Sequence, residues 1–295
     1  MKKILIFNVL FAFLFSYVSF AQEENNENVE EEPMEFMVPK TDLYDRAIVE
    51  TKAPVTYAEV REEDQIWSQF VWRIIDCREK MNFHLYYPVV KMGYRKSLAQ
   101  ALLEGIIDKK VQAYSDQEYT NVVPLASILT KLDATDKEKK GQTLDGNDTT
   151  LMIKGDIDWS DVREYKIKEK WFFDKRHSRY DVRIIAICPM RVFKKKNAAG
   201  EPEGEELRTE LFWVYFPEAR RVLANTICFT GKNQTANISF DDIFFKRYFS
   251  SRIIQEANVN DIPISDYTRG GLEAILESER IKTKMLQFES DLWNY

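Results

Sequence analysis

Four runs of strand-forming residues occupy the middle of the chain, and they constrain its fold more than any other feature. They are joined by turn signals and cover residues 164–174, 181–193, 207–216 and 221–229. The first run alternates between an apolar and a charged set: Tyr165, Ile167, Trp171 and Phe173 against Glu164, Lys166, Lys168 and Lys170. A period of two is typical of a strand with one buried and one solvated face. The next two runs are apolar on both faces, which is typical of strands covered on both sides.

Amphipathic helices are predicted on both sides of these runs. Residues 59–80 carry apolar side chains at the spacing of one helical face: Trp67, Phe70, Val71, Ile74 and Ile75. Two shorter helices are predicted over residues 97–110 and 125–132. We therefore expect an α+β fold, with a central, mainly antiparallel β-meander over residues 163–229 and amphipathic helices packed on it.

Two further helices are predicted after the meander. The first begins at Ser239, where Asp242 completes the pattern of a capping box, and it runs past Ile254. Its aromatic side chains exceed what one narrow face can hold, so we expect it to be sandwiched or to pack on a second body. The last helix covers residues 272–292, and its two apolar groups differ in phase, which indicates contacts on two sides.

The first 21 residues have the pattern of a secretory signal peptide. Lys2 and Lys3 precede an apolar stretch, and Ser19 and Ala21 provide small residues where a signal peptidase reads them. The alternatives are an uncleaved membrane anchor and a buried strand, but an acidic run follows instead of a basic stop-transfer cluster. Cleavage after Ala21 would remove the two lysines and change the formal charge from −6 to −8. Gln22 follows the cleavage point instead of a cysteine, which argues against a lipid anchor.

An acidic arm, extended or disordered, is predicted over residues 22–58, ahead of the folded part. Most of the arm could be a solvated segment. Docking into a partner is the alternative, because apolar residues interrupt the charge at Met34, Phe36, Met37 and Val38. Residues 59–295 are predicted to form a single α+β domain. The polar, loop-like stretch 133–158 is the alternative point of division.

Composition and motifs argue against several functional classes. The formal charge of −6 disfavours binding to a nucleic acid backbone. The chain has two histidines, His84 and His177, and no HExxH pair, nucleophile elbow or Gly-rich phosphate loop. We expect no enzymatic activity, no metal and no cofactor, although a pair of carboxylates could still act together if the fold placed them at the right separation.

Three dispersed cysteines, Cys77, Cys188 and Cys228, do not form a disulfide scaffold or a CxxC metal site. Three buried thiols are the simpler interpretation. A bridge between Cys188 and Cys228 is the alternative if their strands are neighbours.

Three long stretches resemble the gliding motility protein family GldN and its secretion-system counterpart PorN. They are WRIIDCREKMN with the following YYP at residues 72–88, YKIKEKWFFDK continuing into RIIAICPM at 165–190, and ELFWVYFPEAR followed by FDDIFFKRYFSS at 210–251. The resemblance covers residues 57–258 and the signal peptide. It implies a periplasmic component of the type IX protein secretion and gliding machinery, associated with the inner face of the outer membrane.

The resemblance also implies partners and no catalytic residues. We expect a ring of several copies of this chain with a GldK/PorK-like lipoprotein, in contact with a GldM/PorM-like periplasmic motor protein. The alternative is a periplasmic glycan- or ligand-binding module, possibly a hydrolase. Aromatic side chains are the predicted partner-binding residues: Trp72, Trp171, Phe172, Phe245 and Phe249.

Overall fold

A seven-stranded antiparallel sheet with helices packed against it forms the centre of the computed structural model. The structure describes residues 52–134, 137–142, 148–153, 157–196, 202–231 and 237–293. The predicted signal peptide and residues 22–51 of the predicted arm lie outside the described residues. The described residues belong to one compact unit, Ala47–Tyr295.

Nine strands and seven α-helices occur along the described part of the chain. The strands are β1 Gln65–Asp76, β2 Ala113–Tyr114, β3 Lys137–Gln142, β4 Asp148–Ile153, β5 Val162–Asp174, β6 Arg179–Lys196, β7 Pro202–Glu210, β8 Trp213–Tyr215 and β9 Arg252–Glu256. The helices are α1 Phe83–Tyr86, α2 Leu98–Ile107, α3 Leu125–Lys131, α4 Phe216–Asn225, α5 Phe240–Phe245, α6 Ile264–Tyr267 and α7 Gly271–Trp293. None of these helices has the length and hydropathy needed to cross a lipid bilayer.

The main sheet has the order β2-β8-β6-β5-β1-β9, and β7 also pairs with β6. Every pair is antiparallel, and the long strands β1, β5 and β6 contain most of the paired residues. β7 and β8 pair with different parts of β6, so the predicted third strand is split after Glu210. This sheet confirms the predicted α+β class and its mainly antiparallel centre.

The main core lies between this sheet and helices α2, α4 and α5. Its largest fully buried side chains include Tyr165 of β5, Phe216 of α4 and Phe240, which begins α5. A separate cluster joins β1 and β9 to α6 and α7 through Val71, Ile253, Ile264, Ile281 and Met285. Two groups of helices therefore pack on the sheet through separate apolar clusters.

The predicted helix over residues 59–80 is wrong, because Gln65–Asp76 forms strand β1. A nearly continuous apolar run satisfies the helical spacing and also the pattern of a strand covered on both faces. β1 lies between β5 and β9, and its consecutive residues Val71, Trp72 and Arg73 are all buried. Its β-branched and aromatic content favours the strand.

The predicted fourth strand, residues 221–229, is also wrong, because α4 continues to Asn225. Pro217 lies in the first turn of α4, where a missing N–H and a fixed φ favour helix. The buried side chains of α4 recur at helical spacing: Phe216, Ala219, Arg220, Leu223 and Ala224. The apolar content of 221–229 therefore belongs to one helical face and a short extended segment after it.

The helix that begins at Ser239 is shorter than predicted. Its capping box is present, since the Ser239 side chain accepts from the Asp242 amide and the Asp242 side chain accepts from the Ser239 amide. α5 ends at Phe245, and Arg247 has a left-handed φ of 52°, which cannot continue a helix. Ile253 then lies in β9 and pairs with Arg73 of β1.

The polar stretch 133–158 is not a plain loop. It contains β3 and β4, which pair with each other as a two-stranded antiparallel sheet. By contrast, α2, α3 and α7 occur close to their predicted bounds. Ser97 caps α2, with Gln100 as the reciprocal partner.

Candidate functional site

The last helix, α7, presents two opposite apolar faces. One face contributes Ile281 and Met285 to the cluster with β1 and β9, and Ser278 accepts a hydrogen bond from the Ile253 amide at 3.0 Å. The other face is exposed and consists of Leu272, Ile275, Leu276 and Leu286. Leu272 and Leu276 are 73% and 60% exposed. This exposed face, called the α7 patch below, explains the two phases of the sequence pattern.

Residues 52–58 form a strap across α4 and α5. Lys52 forms an ion pair with Asp242 at 2.7 Å, and the Val55 carbonyl accepts a hydrogen bond from Arg220. The Tyr57 ring stacks on Phe245 with centroids 5.6 Å apart. Burial tends to raise the pKa of Asp242, but hydrogen bonds from Lys52 and Ser239 outweigh it and lower the pKa overall. The last part of the predicted arm is therefore fixed to the folded unit.

Arg220 connects the strap to the core. It donates to both carboxylate oxygens of Asp241, at 2.7 and 3.1 Å, and its guanidinium lies 4.2 Å from the centre of the Tyr57 ring. Both members of the ion pair are buried. A buried bidentate pair of this kind holds α4, α5 and the strap in one arrangement.

Three lysines of β5 follow the predicted alternation on the sheet face opposite Tyr165 and Ile167. Lys166 forms an ion pair with Glu210 at 2.8 Å, and Lys170 donates to the Gln65 side chain at 3.0 Å. Lys168 lies 5.2 Å from the ring centre of Phe70 and 5.5 Å from that of Trp72. These lysines are half-buried, so the face that was predicted to be solvated is partly covered.

Glu164 departs from the predicted alternation because it is buried on the supposedly solvated side. Arg208 donates to its carboxylate at 3.1 Å, which compensates for the loss of solvent. A local register shift between Lys168 and Glu169 also changes the pairing of β5 with β6. Glu169 beyond it is buried and forms an ion pair with Arg247 at 2.9 Å.

The five predicted partner-binding aromatics do not form one surface. Trp72, Phe172 and Phe249 are buried, Trp171 is half-buried, and Phe245 is 41% exposed. Trp72 donates to Gln117, and Trp171 donates to Glu169. Of the five, Phe245 is the one in the exposed class. Partner binding by these residues stays a prediction.

His177 and Asp174 interact in the turn between β5 and β6. His177 Nδ1 lies 2.6 Å from Asp174 Oδ2, and this hydrogen bond lowers the pKa of Asp174. Asp174 also accepts from the amides of Arg176 and His177, so it organises the turn between β5 and β6. Within the described ranges, no group of three or more His, Cys, Asp or Glu is placed to hold a metal ion.

The three cysteines are free and buried. Cys188 packs with Ala186 and Trp213 on one face of the sheet, whereas Cys228 belongs to the main core. Burial raises the pKa of the Cys228 thiol to about 12, and it raises the pKa of Cys77 and Cys188 still further from their ordinary value. The interpretation as buried thiols is confirmed, and the alternative Cys188–Cys228 bridge is not formed.

Of the two surface features, the α7 patch was partly visible in the sequence and the strap was not. The phase difference in residues 272–292 indicated two contact sides, but only the packing of Ile281 and Met285 shows which side is free. Nothing in the sequence indicated the strap, because Arg220 lies 165 residues from Val55 and 21 residues from Asp241. Pairing over such separations leaves no local pattern.

Comparison with protein families gives one match that covers most of the chain. Residues 60–294 match the family model described as gliding motility associated protein GldN. The match includes every described strand and helix, and therefore the α7 patch. A search of curated proteins finds no match.

Proposed function

The chain belongs to the GldN family of gliding motility associated proteins, and from this membership we propose that it is a periplasmic scaffold subunit of the type IX protein secretion and gliding machinery. In this proposal several copies form a ring with an outer-membrane lipoprotein related to GldK or PorK. The ring also contacts a periplasmic motor protein related to GldM or PorM. The chain acts through its surfaces and not through catalysis.

The observation that carries this proposal is the family match over residues 60–294. The pattern of residues 1–21 supports export to the periplasm. Gln22 in place of a cysteine supports attachment to the membrane through a lipidated partner.

The α7 patch supports a role in assembly. Single exposed apolar residues are common on soluble proteins, but Leu272, Ile275 and Leu276 are adjacent on one helical face. A subunit in a closed ring needs two different contact faces, because each neighbour meets a different surface. We assign the α7 patch to one of them. The candidate for the second contact face is the surface around Phe245 and Tyr248. Tyr248 is 63% exposed.

The test is purification of the protein from its native envelope, followed by identification of the proteins that accompany it. We expect the lipoprotein and the motor protein to co-purify. The double variant Leu272→Ser, Leu276→Ser should lose at least one of them while its unfolding transition stays unchanged, because both side chains are already exposed.

Two controls separate loss of binding from loss of folding. Val90→Ser changes an apolar residue that is 75% exposed in another part of the surface and should leave the co-purifying proteins unchanged. Ile281→Ser changes the buried face of α7 and should destabilise the fold. A monomer that brings no partner from membrane extracts would contradict the proposal.

A further inference from the structure

A cavity lies between the main sheet and the C-terminal half of α7. Its volume is about 390 Å³, and β1, β5, β6, α7 and the segment between α5 and β9 all contribute to its lining. Trp171 of β5 and Tyr180 of β6 form an aromatic wall, with ring centroids 5.3 Å apart. Phe249 and Met285 add further apolar surface. Of the α7 patch, only Leu286 also lines this cavity.

The guanidinium of Arg73 lines the cavity and is buried, with 8% of the residue exposed. It donates from Nε to the Ser251 hydroxyl at 2.8 Å and from Nη2 to the Ser251 carbonyl at 3.0 Å. Both acceptors are uncharged, and the ion pairs among the described residues do not include Arg73. A buried cation normally has a counter-ion, because burial removes the water that would solvate it.

The buried carboxylate of Glu169 is engaged by other groups. It forms an ion pair with Arg247 at 2.9 Å, and it accepts a hydrogen bond from the Trp171 indole at 3.0 Å. Burial lowers the pKa of Arg73, and the nearby charge of Glu169 does not offset this effect. The charge of Arg73 is therefore only partly compensated within the fold.

The remaining charges at the cavity nearly cancel. Lys282 and Glu289 line it with opposite charges. Lys282 also lies 3.6 Å from Glu279, where both side chains are more than half exposed and water screens the pair. Since Glu169 offsets Arg247, the positive charge of Arg73 is the one left over in the buried part of the cavity.

The Tyr180 hydroxyl is a second polar group at the cavity that lacks a partner. Its oxygen is shielded from solvent and forms no hydrogen bond with any described residue. Burial raises the pKa of Tyr180, so the hydroxyl keeps its proton and can donate it to an acceptor. Buried polar groups without a partner are rare in folded proteins, and a bound ligand is one way to satisfy them.

We propose that this cavity binds an organic carboxylate whose attached group is apolar. The carboxylate accepts hydrogen bonds from the remaining N–H groups of Arg73, which can donate two in parallel, and from the Tyr180 hydroxyl. The apolar group packs on Trp171, Phe249 and Met285. One uncompensated positive charge matches a carboxylate better than a phosphate dianion, and the volume is that of a small-ligand site. The inference does not depend on the proposed function, because the cavity belongs to this chain alone.

NMR titration of the isotope-labelled full chain tests the charge and the apolar group of the ligand. N-acetyl-L-phenylalanine should shift the Trp171 indole signal and bind about tenfold tighter or more than its uncharged amide, because only the acid can pair with a buried guanidinium. Inorganic phosphate should also bind about tenfold more weakly or worse, since it has no apolar group to bury. Equal affinity for the acid and either of the other two, or no binding of the acid, would overturn the proposal.

Two variants and a matched control assign the binding to these side chains. Arg73→Gln keeps a donor for Ser251 but removes the charge, and Tyr180→Phe removes a hydroxyl without a partner, so its unfolding transition should not change. The affinity for N-acetyl-L-phenylalanine should fall about tenfold or more in the first variant and several-fold in the second. Lys284→Gln removes a charge on α7 from a side chain that is 73% exposed and lies outside the cavity lining, and it should leave the affinity unchanged. Full affinity in Tyr180→Phe together with full affinity in Arg73→Gln, or in Tyr180→Phe alone if Arg73→Gln does not fold, would contradict the assignment.

Two sources provide this chemistry, a small carboxylic acid and the C-terminal end of a peptide. The comparison is a short peptide that ends in phenylalanine with a free carboxylate. Binding about tenfold tighter than that of N-acetyl-L-phenylalanine would assign the cavity to a peptide end, because residues before the last one then add contacts. Equal binding would assign it to the small acid. Either result supports a carboxylate site, whereas equal binding of the peptide and its C-terminal amide would count against it.

Discussion

Individual charged residues connect distant parts of this fold. Arg220 bonds to Asp241 in α5 and to the Val55 carbonyl in the strap, and it also contacts the Tyr57 ring. Arg247 has a similar role, because it forms an ion pair with the buried Glu169 of β5 just after α5 ends. In each case a guanidinium neutralises a buried carboxylate.

Replacement of Arg220 by methionine should destabilise the protein strongly. Arg220→Met retains apolar bulk but leaves the Asp241 carboxylate buried without its counter-ion, which costs about 3–5 kcal/mol of unfolding free energy. Urea denaturation measures this change. Arg280→Met serves as the control, because Arg280 pairs with Glu277 on the exposed surface of α7, and its midpoint should stay unchanged. A small effect of Arg220→Met would mean that water or another cation replaces the lost partner.

At the scale of elements, helices α2 and α4 pack together with very little space between them. Gly105 of α2 faces Val222 of α4, and a Cβ atom at Gly105 would lie 3.3 Å from both Cγ atoms of Val222. A side chain at Gly105 would therefore require Val222 to shift by a few tenths of an ångström. Gly105 sets the distance at which α2 covers the main core.

A larger side chain at Gly105 should separate the two helices. Gly105→Leu introduces a good helix former, so its expected cost of about 1–3 kcal/mol comes from overpacking. The free energy of unfolding measured with urea tests this value. Ile107→Leu, at a residue of α2 that is 53% exposed, is the matched control and should be close to neutral. A stabilised Gly105→Leu variant would show that Val222 can move away.

At the scale of the whole molecule, the exposed apolar surfaces lie on helices that pack against one antiparallel sheet. The strap lies across α4 and α5, and the α7 patch faces away from the cluster around Ile281. A scaffold that binds several partners requires separate surfaces held at fixed positions. The two apolar clusters, one under α2, α4 and α5 and one under α7, provide that rigidity.

Loss of the Tyr57 ring should release the strap without unfolding the protein. In Tyr57→Ala the contacts with Arg220 and Phe245 are removed, at a cost of about 1–2 kcal/mol, which acts locally. Limited proteolysis should then cut faster within residues 52–60, while thermal unfolding of the remainder changes little. Val55→Ala, at a residue whose side chain is 47% exposed, is the control and should leave the cleavage rate unchanged. Equal cleavage of Tyr57→Ala and the unsubstituted chain would contradict this role of the ring.

Local patterns in the sequence were sufficient for the features that depend on near neighbours. The alternation of Tyr165 and Ile167 predicted β5, the capping box at Ser239 predicted a helix start, and the phases of residues 272–292 predicted a helix with two contact sides. The family resemblance was also sufficient, because it rests on long stretches of unusual composition. The signals of β5 and of these helices are local, so chain spacing alone determines which side chains share a face.

The tertiary structure decided the features that depend on distant neighbours. Residues 65–76 satisfy helical and strand spacing alike, and they form a strand because β5 and β9 supply backbone hydrogen bonds along its two edges. Residues 221–225 are helical because the face they share with Phe216 and Ala219 packs on the core. The partners of Arg220 likewise depend on which segments meet in space. Free energy gained from such contacts exceeds local propensity, and a single sequence does not show which contacts form.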